Sequence, residues 1–242
     1  MPHAHLMPEM ILPMSPTLTR TEASDAVNDL GWRYILGTLR TSVPVQSLAE
    51  ASQVTASAVT ACGTDADQHL RADLRPGRVV FTLQSLDEAT VTTRDIELAN
   101  VITAAVGESG LRTDPDLHPG APRSVQLLEI GIDAINIASI RPFWKAVLGY
   151  ADEPGADGPE DALIDPLGQG PAIWFQQMDE PRAQRNRLHF DVSVPHDEAA
   201  RRIEATLAAG GKLLYDAEAP SFWVLADPEG NEACVTTWQG RD

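Results

Sequence analysis

Lysine is almost missing from this 242-residue chain: Lys145 and Lys212 are the only two, so the cationic charge is nearly all arginine. Basic residues number 18 against 35 acidic ones, a formal net charge of −17. Binding along a phosphate backbone needs clustered Lys and Arg, so the composition argues against a nucleic-acid partner. Cysteine is scarce as well. Cys62 and Cys234 are too few and too distant in sequence for a disulfide framework or a multi-cysteine zinc site. No apolar run is long enough to span a bilayer, and the opening MPHAHLMPEMILPMSP lacks the basic region of a signal peptide. These absences leave a cytoplasmic enzyme or binding protein as the expectation, with no membrane contact.

What is present is enough for a real core: the apolar fraction is 43%. The length is comfortable for two domains of ordinary size. Residues 1–17, rich in Met and Pro, read as a tail, and TDPDLHPGAPR has linker composition. The expected division is 18–113, a linker at 114–123, and 124–242. In the first part the pattern predicts a helix at Glu22–Leu30 and a hairpin of Trp32–Leu36 with Leu39–Val43 turning at Gly37-Thr38. Leu48, Ala51, Val54, Ala58 and Cys62 recur at helical spacing. Arg78–Ser85 reads as a strand, and Thr92 or Thr93 caps a last helix through Ile96, Leu98, Ala99, Ile102 and Val106. The predicted order is α-β-β-α-β-α.

The second part contains a repeat. LLEIGIDAINIASIRPFWKAVLGY aligns with RLHFDVSVPHDEAARRIEATLAAGG at an offset of 60 to 61 residues, and DPLGQ at Asp165 aligns with DPEGN at Asp227. Each copy reads as strand, helix and three short strands. FWKAVLGY, NRLHFDV and DPEGNEACV make the region resemble the glyoxalase-like branch of the vicinal-oxygen-chelate (VOC) superfamily. The resemblance implies a tandem βαβββ fold within an α+β protein, with a metal or substrate in a cupped sheet and ligands on the first and last strands of each unit. Strand alternation places Glu129 and His189 at equivalent positions opposite the apolar face, and Glu232 opens the last strand. Glu129, His189 and Glu232 are therefore the expected metal ligands, with Cys234 outside the set. Imidazole and carboxylates suit Zn, Mn, Ni or Fe(II) alike. The fourth position falls near Pro171 or Ala172, which offer no side-chain ligand. Trp174, Gln176, Trp223 and Trp238, with Phe222, are candidates for a ligand pocket. The plain alternative is a hydrogen-bonded strand histidine and ordinary sheet packing of the aromatics.

LGWRYILGTLRTSV and TTRDIELANVI make residues 18–112 resemble a pterin-4a-carbinolamine dehydratase. That chemistry moves protons through histidines. The family's His-His-Pro slot holds Gln68-His69-Leu70 here, its acidic slot Thr64, and its Thr-His slot Ser85-Leu86. His69 and Asp95 are the remaining candidates for catalysis, Asp95 also being placed to face a helix dipole. Three functions stay open: a metal-assisted VOC enzyme, a metal-free ligand-binding or resistance-type protein, and an active 4a-hydroxytetrahydrobiopterin dehydratase. The expected partner is a small molecule, with a homodimer left open.

Overall fold

Threonine and serine side chains open the helices of the first domain. Thr19 and Glu22 form a reciprocal capping box at α1 (Arg20–Val27), and Ser47 accepts the Glu50 amide at α2 (Leu48–Cys62). Between them lie β1 (Arg33–Ile35) and β2 (Thr38–Pro44); a short α3 (Ala66–His69), β3 (Leu70–Arg75), β4 (Arg78–Leu83) and α4 (Thr93–Glu108) follow. This computed structural model describes residues 16–115, 126–181 and 188–240. Most of the expected tail and linker lies outside the described residues. The chain separates into two compact units, 1–126 and 127–242. No helix among the described residues is long and apolar enough to cross a membrane.

The first unit is a four-stranded sheet in the order β1-β2-β4-β3. Ala51, Val54, Ala58 and Cys62 of α2 are buried, as are Leu98, Ala99, Ile102 and Val106 of α4. They share a core with Leu39, Val43, Val79, Phe81 and Leu83 of the sheet. Two details depart from the sequence reading. The first hairpin turns at Leu36-Gly37, both with positive φ (44° and 71°), one residue earlier than expected. Positive φ at both central residues matches the right-handed twist of the flanking strands, and Leu36 bears it on an exposed corner. The second departure is β3, which adds a strand to the expected order. Its segment LRADLR carries three charges in six residues, yet Leu70 packs on the core while Arg71 and Asp73 face away.

The second unit repeats one plan twice. The first copy holds β5 (Glu129–Ala134), α5 (Ile137–Leu148), β6 (Ala151–Asp152), β7 (Leu163–Ile164) and β8 (Ala172–Gln177). The second holds β9 (Phe190–Ser193), α6 (Ala199–Ala208), β10 (Lys212–Tyr215), β11 (Phe222–Ala226) and β12 (Glu232–Thr236). Their sheets run β5-β8-β7-β6 and β9-β12-β11-β10, so each copy pairs its first strand with its last. Those two pairings, β5 with β8 and β9 with β12, are parallel. Trp144 of α5 joins the copies: its ring meets Phe190 edge-on at 5.3 Å, and its indole N–H donates to Asp227 at 3.1 Å. Glu229, in the turn before β12, accepts the Ile135 and Asn136 amides at 2.9 and 2.6 Å. Asp165 and Asp227 anchor equivalent turns by accepting the amides that follow them.

Candidate functional site

Parallel pairing decides which side chains of β9 and β12 stand side by side. Asp191 is the register partner of Cys234, and Ser193 of Thr236. In-register neighbours project to the same side, so His189, Asp191, Cys234 and Thr236 share one face while Val192, Ala233 and Val235 pack on the core. Donor atoms of His189, Asp191 and Cys234 lie within 4.8 Å of one another. The His189 Nε2 to Asp191 Oδ1 distance is 3.5 Å, and Ser193 and Thr236 hydroxyls meet at 2.8 Å. His189 and Asp191 are exposed, whereas Cys234 is buried. One side of the group thus opens to solvent.

Glu129 and Glu232 belong to no such group among the described residues. Glu129 sits on the other sheet, close enough to Glu153 to add to the burial that pushes the Glu153 carboxyl above its usual range. Glu232 stands one step before the Ala233–Phe190 pair, at the start of β12. The side chains that lie together are therefore His189, Asp191 and Cys234, of which only His189 belongs to the expected ligand set.

The equivalent face of β5 and β8 is built differently. Gly131 is the register partner of Trp174, and a Cβ at Gly131 would lie 2.9 Å from the indole ring. The ring lies against the glycine, and Trp174 is 41% exposed. Gln176 follows on the same face and is exposed. Trp223 does not join them: its register partner is Val235, and it packs against the core. Phe222 and Val224 take the face shared with Thr236 and Cys234. Trp238 lies beyond β12, where its indole N–H donates to His196 Nδ1 at 3.4 Å.

In the first unit, His69 Nδ1 and Asp95 Oδ1 are 2.9 Å apart, the carboxylate fully buried. The other Asp95 oxygen accepts the Thr92 amide and hydroxyl at 2.8 and 2.9 Å. One residue therefore closes the helix start and orients the imidazole. Backbone bonds from Gln84 to His69 and from Leu86 to Gln68, both 3.0 Å, draw the two candidate segments together.

Residues 129–236 match the family model of the glyoxalase-like domain, and residues 16–105 match that of pterin 4 alpha carbinolamine dehydratase. The chain joins a pterin dehydratase-like domain to a glyoxalase-like domain. No curated protein matches it. Among solved structures, it is similar to a glyoxalase/bleomycin resistance protein/dioxygenase family enzyme from Burkholderia phytofirmans PsJN. That pair is 17% identical, with 45% of this chain and 95% of the other covered and a TM-score of 0.38. A transcriptional coactivator/pterin dehydratase from Brucella melitensis is 26% identical, covering 37% of this chain and 97% of the other, with a TM-score of 0.33. Fosfomycin resistance protein FosX from Mesorhizobium loti is 11% identical, covering 47% and 92%, with a TM-score of 0.36.

Within the dehydratase-like domain, the two segments in which the sequence reading placed the family's motif are adjacent. Leu86 cannot transfer a proton, and Gln68 is neither acid nor base near neutral pH. Within the glyoxalase-like domain, sequence reasoning passed over Asp191 and Cys234. Their signal was available: Gly131 and Trp174 stand 60 residues before Asp191 and Cys234, so the repeat predicts both pairs once first-to-last strand pairing is known.

Proposed function

We propose that the glyoxalase-like domain acts on a small organic molecule with one divalent metal held by His189, Asp191 and Cys234, and that the dehydratase-like domain has lost turnover. The convergence of imidazole, carboxylate and thiol within 4.8 Å on one strand face carries this reading. Donors on one tetrahedral ion sit roughly 3.3–3.8 Å apart, so a small rotation of the exposed His189 and Asp191 side chains closes the set. A thiolate among the donors shifts preference toward Zn over Mn, relative to a set of imidazole and carboxylates alone. When bound, such an ion supplies Lewis-acid polarisation of a substrate oxygen at an open position.

The protein's own residues supply the rest. Cys234 is the buried member of the set, and His189 and Asp191, 3.5 Å apart, are its exposed members. Trp174 offers a flat apolar surface and Gln176 a neutral amide, a combination that suits an uncharged or planar organic group.

Calorimetric titration of the metal-free chain with Zn, Mn, Ni and Fe(II), the last without oxygen, tests this. Zn should bind most tightly among them, and His189→Ala or Cys234→Ala should weaken it by at least ~100-fold, beyond the loss typical of an outer partner. Cys62→Ala, which removes a thiol of the other domain, should change nothing. Absence of binding by all four metals would leave a metal-free ligand pocket as the account. A carbinolamine dehydration assay should show no acceleration; turnover abolished by His69→Ala would restore the dehydratase reading.

A further inference from the structure

In an acidic chain, the sheet face of the dehydratase-like domain that turns away from its helices carries arginines. Arg33 and Arg40 are register partners across β1 and β2, and Arg40 and Arg71 are both register partners of Thr82 on the central strand β4. One row across the four-stranded sheet therefore reads Arg33, Arg40, Thr82, Arg71. Leu39, Val79, Phe81 and Leu83, on the opposite face, hold the core.

Both inner arginines lean over β4. Arg40 Nε donates to the Thr82 hydroxyl at 3.0 Å, and an Arg71 amino group donates to Gln84 Oε1 at 2.6 Å. Arg40 also reaches the Gln126 carbonyl at 3.3 Å. These partners are neutral; among the described residues neither arginine forms an ion pair. Asp73, the carboxylate that acts on Arg40, is bonded to Arg75 at 2.7 Å. Arg71 Nε is shielded from water and has no acceptor. Burial disfavours the charge on both groups, and each Arg40 proton is held against the repulsion of Arg71, partly offset by Asp73. Two like charges, part-buried and fixed by neutral hydrogen bonds, are an arrangement whose cost an anion relieves.

We propose that this face binds an oxyanion, a phosphate or carboxylate group of a small molecule, between Arg40 and Arg71 above Thr82 and Gln84. The guanidinium groups are held in place by Thr82 and Gln84, with further N–H groups to offer a planar or tetrahedral anion. The proposed contacts use neither His69 nor Asp95, and the proposal requires no metal.

The test uses the full chain and two probes, inorganic phosphate and citrate, titrated calorimetrically at an ionic strength fixed with sodium chloride. At least one probe should bind, and Arg40→Gln or Arg71→Gln should weaken it at least ~10-fold, since each removes a charge-assisted contact. Arg75→Gln, on the same strand but already paired with Asp73, should stay within about twofold. The tighter probe identifies the source as phosphate or carboxylate. Amide shifts in the unmutated chain keep the test valid if a variant does not fold: they should centre on Thr82–Gln84, Arg40 and Arg71. Heat no greater than that of chloride, retention of binding in both arginine variants, or shifts centred elsewhere would overturn the proposal.

Discussion

The two copies of the glyoxalase-like domain place the same backbone pair to different use. Gly131 beside Trp174 in one sheet and Asp191 beside Cys234 in the other occupy the same register, each on a first strand parallel to a last strand. In the first copy the missing side chain makes room for an indole. In the second, two short polar side chains and His189 leave donor atoms clustered and one side open. The repeat therefore sets positions, and the residue at each position sets the chemistry. One copy presents an indole surface and the other a cluster of imidazole, carboxylate and thiol.

The strongest way to break this comparison is to exchange the paired residues. Cys234→Trp should abolish zinc binding altogether in calorimetry, because it removes a donor and fills the face; retained affinity would show that Cys234 is no ligand. Gly131→Val comes next. Its added carbons meet the Trp174 ring inside 3 Å, so the ring must leave its place, at a cost of about 1–3 kcal/mol measured by urea denaturation. Zinc affinity in that variant should be unchanged, which separates the two faces.

The turn aspartates give a smaller and graded contrast. Asp227 is buried and accepts from Trp144, Glu229 and Asn231, whereas Asp165 is only part-buried and accepts three backbone amides. Asp227→Ala should cost roughly 2–4 kcal/mol and Asp165→Ala about 1–2 kcal/mol in the same denaturation experiment. Equal losses would mean that the Trp144 contact contributes nothing.

The smallest effect expected is one of pH. Lys145 and Arg141 both donate to Asp152 in the first copy and hold its carboxyl below the usual carboxylate range. A depressed folded-state value means that the stabilisation is present at neutral pH and lost as the pH falls below about 4. Asp152→Asn should therefore flatten the acid limb of stability between pH about 4 and 2. Partial exposure keeps the change under ~1 kcal/mol.

Much of this molecule follows from local pattern. Apolar residues at helical spacing place α2 and α4 on the core, because a helix face that recurs every third and fourth residue has one side to bury. The 60-residue offset between Glu129 and His189 is enough to predict two copies of one unit. Period-2 alternation puts Glu129 and His189 away from the buried Ile132 and Val235. The strand β3 was legible too, because Leu70, Ala72 and Leu74 alternate with Arg71, Asp73 and Arg75 at the period of a strand.

Alternation says which face a residue takes, but only strand pairing says which residue is its neighbour. The sequence by itself determined the α+β class, the repeat, and the face of its strand that His189 takes. The parallel register of β9 with β12 decided that Asp191 and Cys234 stand side by side on the face His189 takes, while Glu129 lies on the other sheet. The same holds for Arg40 and Arg71, which lie 31 positions apart in the chain and become neighbours of Thr82 only when β4 inserts between β2 and β3. Sites of this kind are made by hydrogen bonds between distant backbone segments, and no local propensity encodes which segments those are.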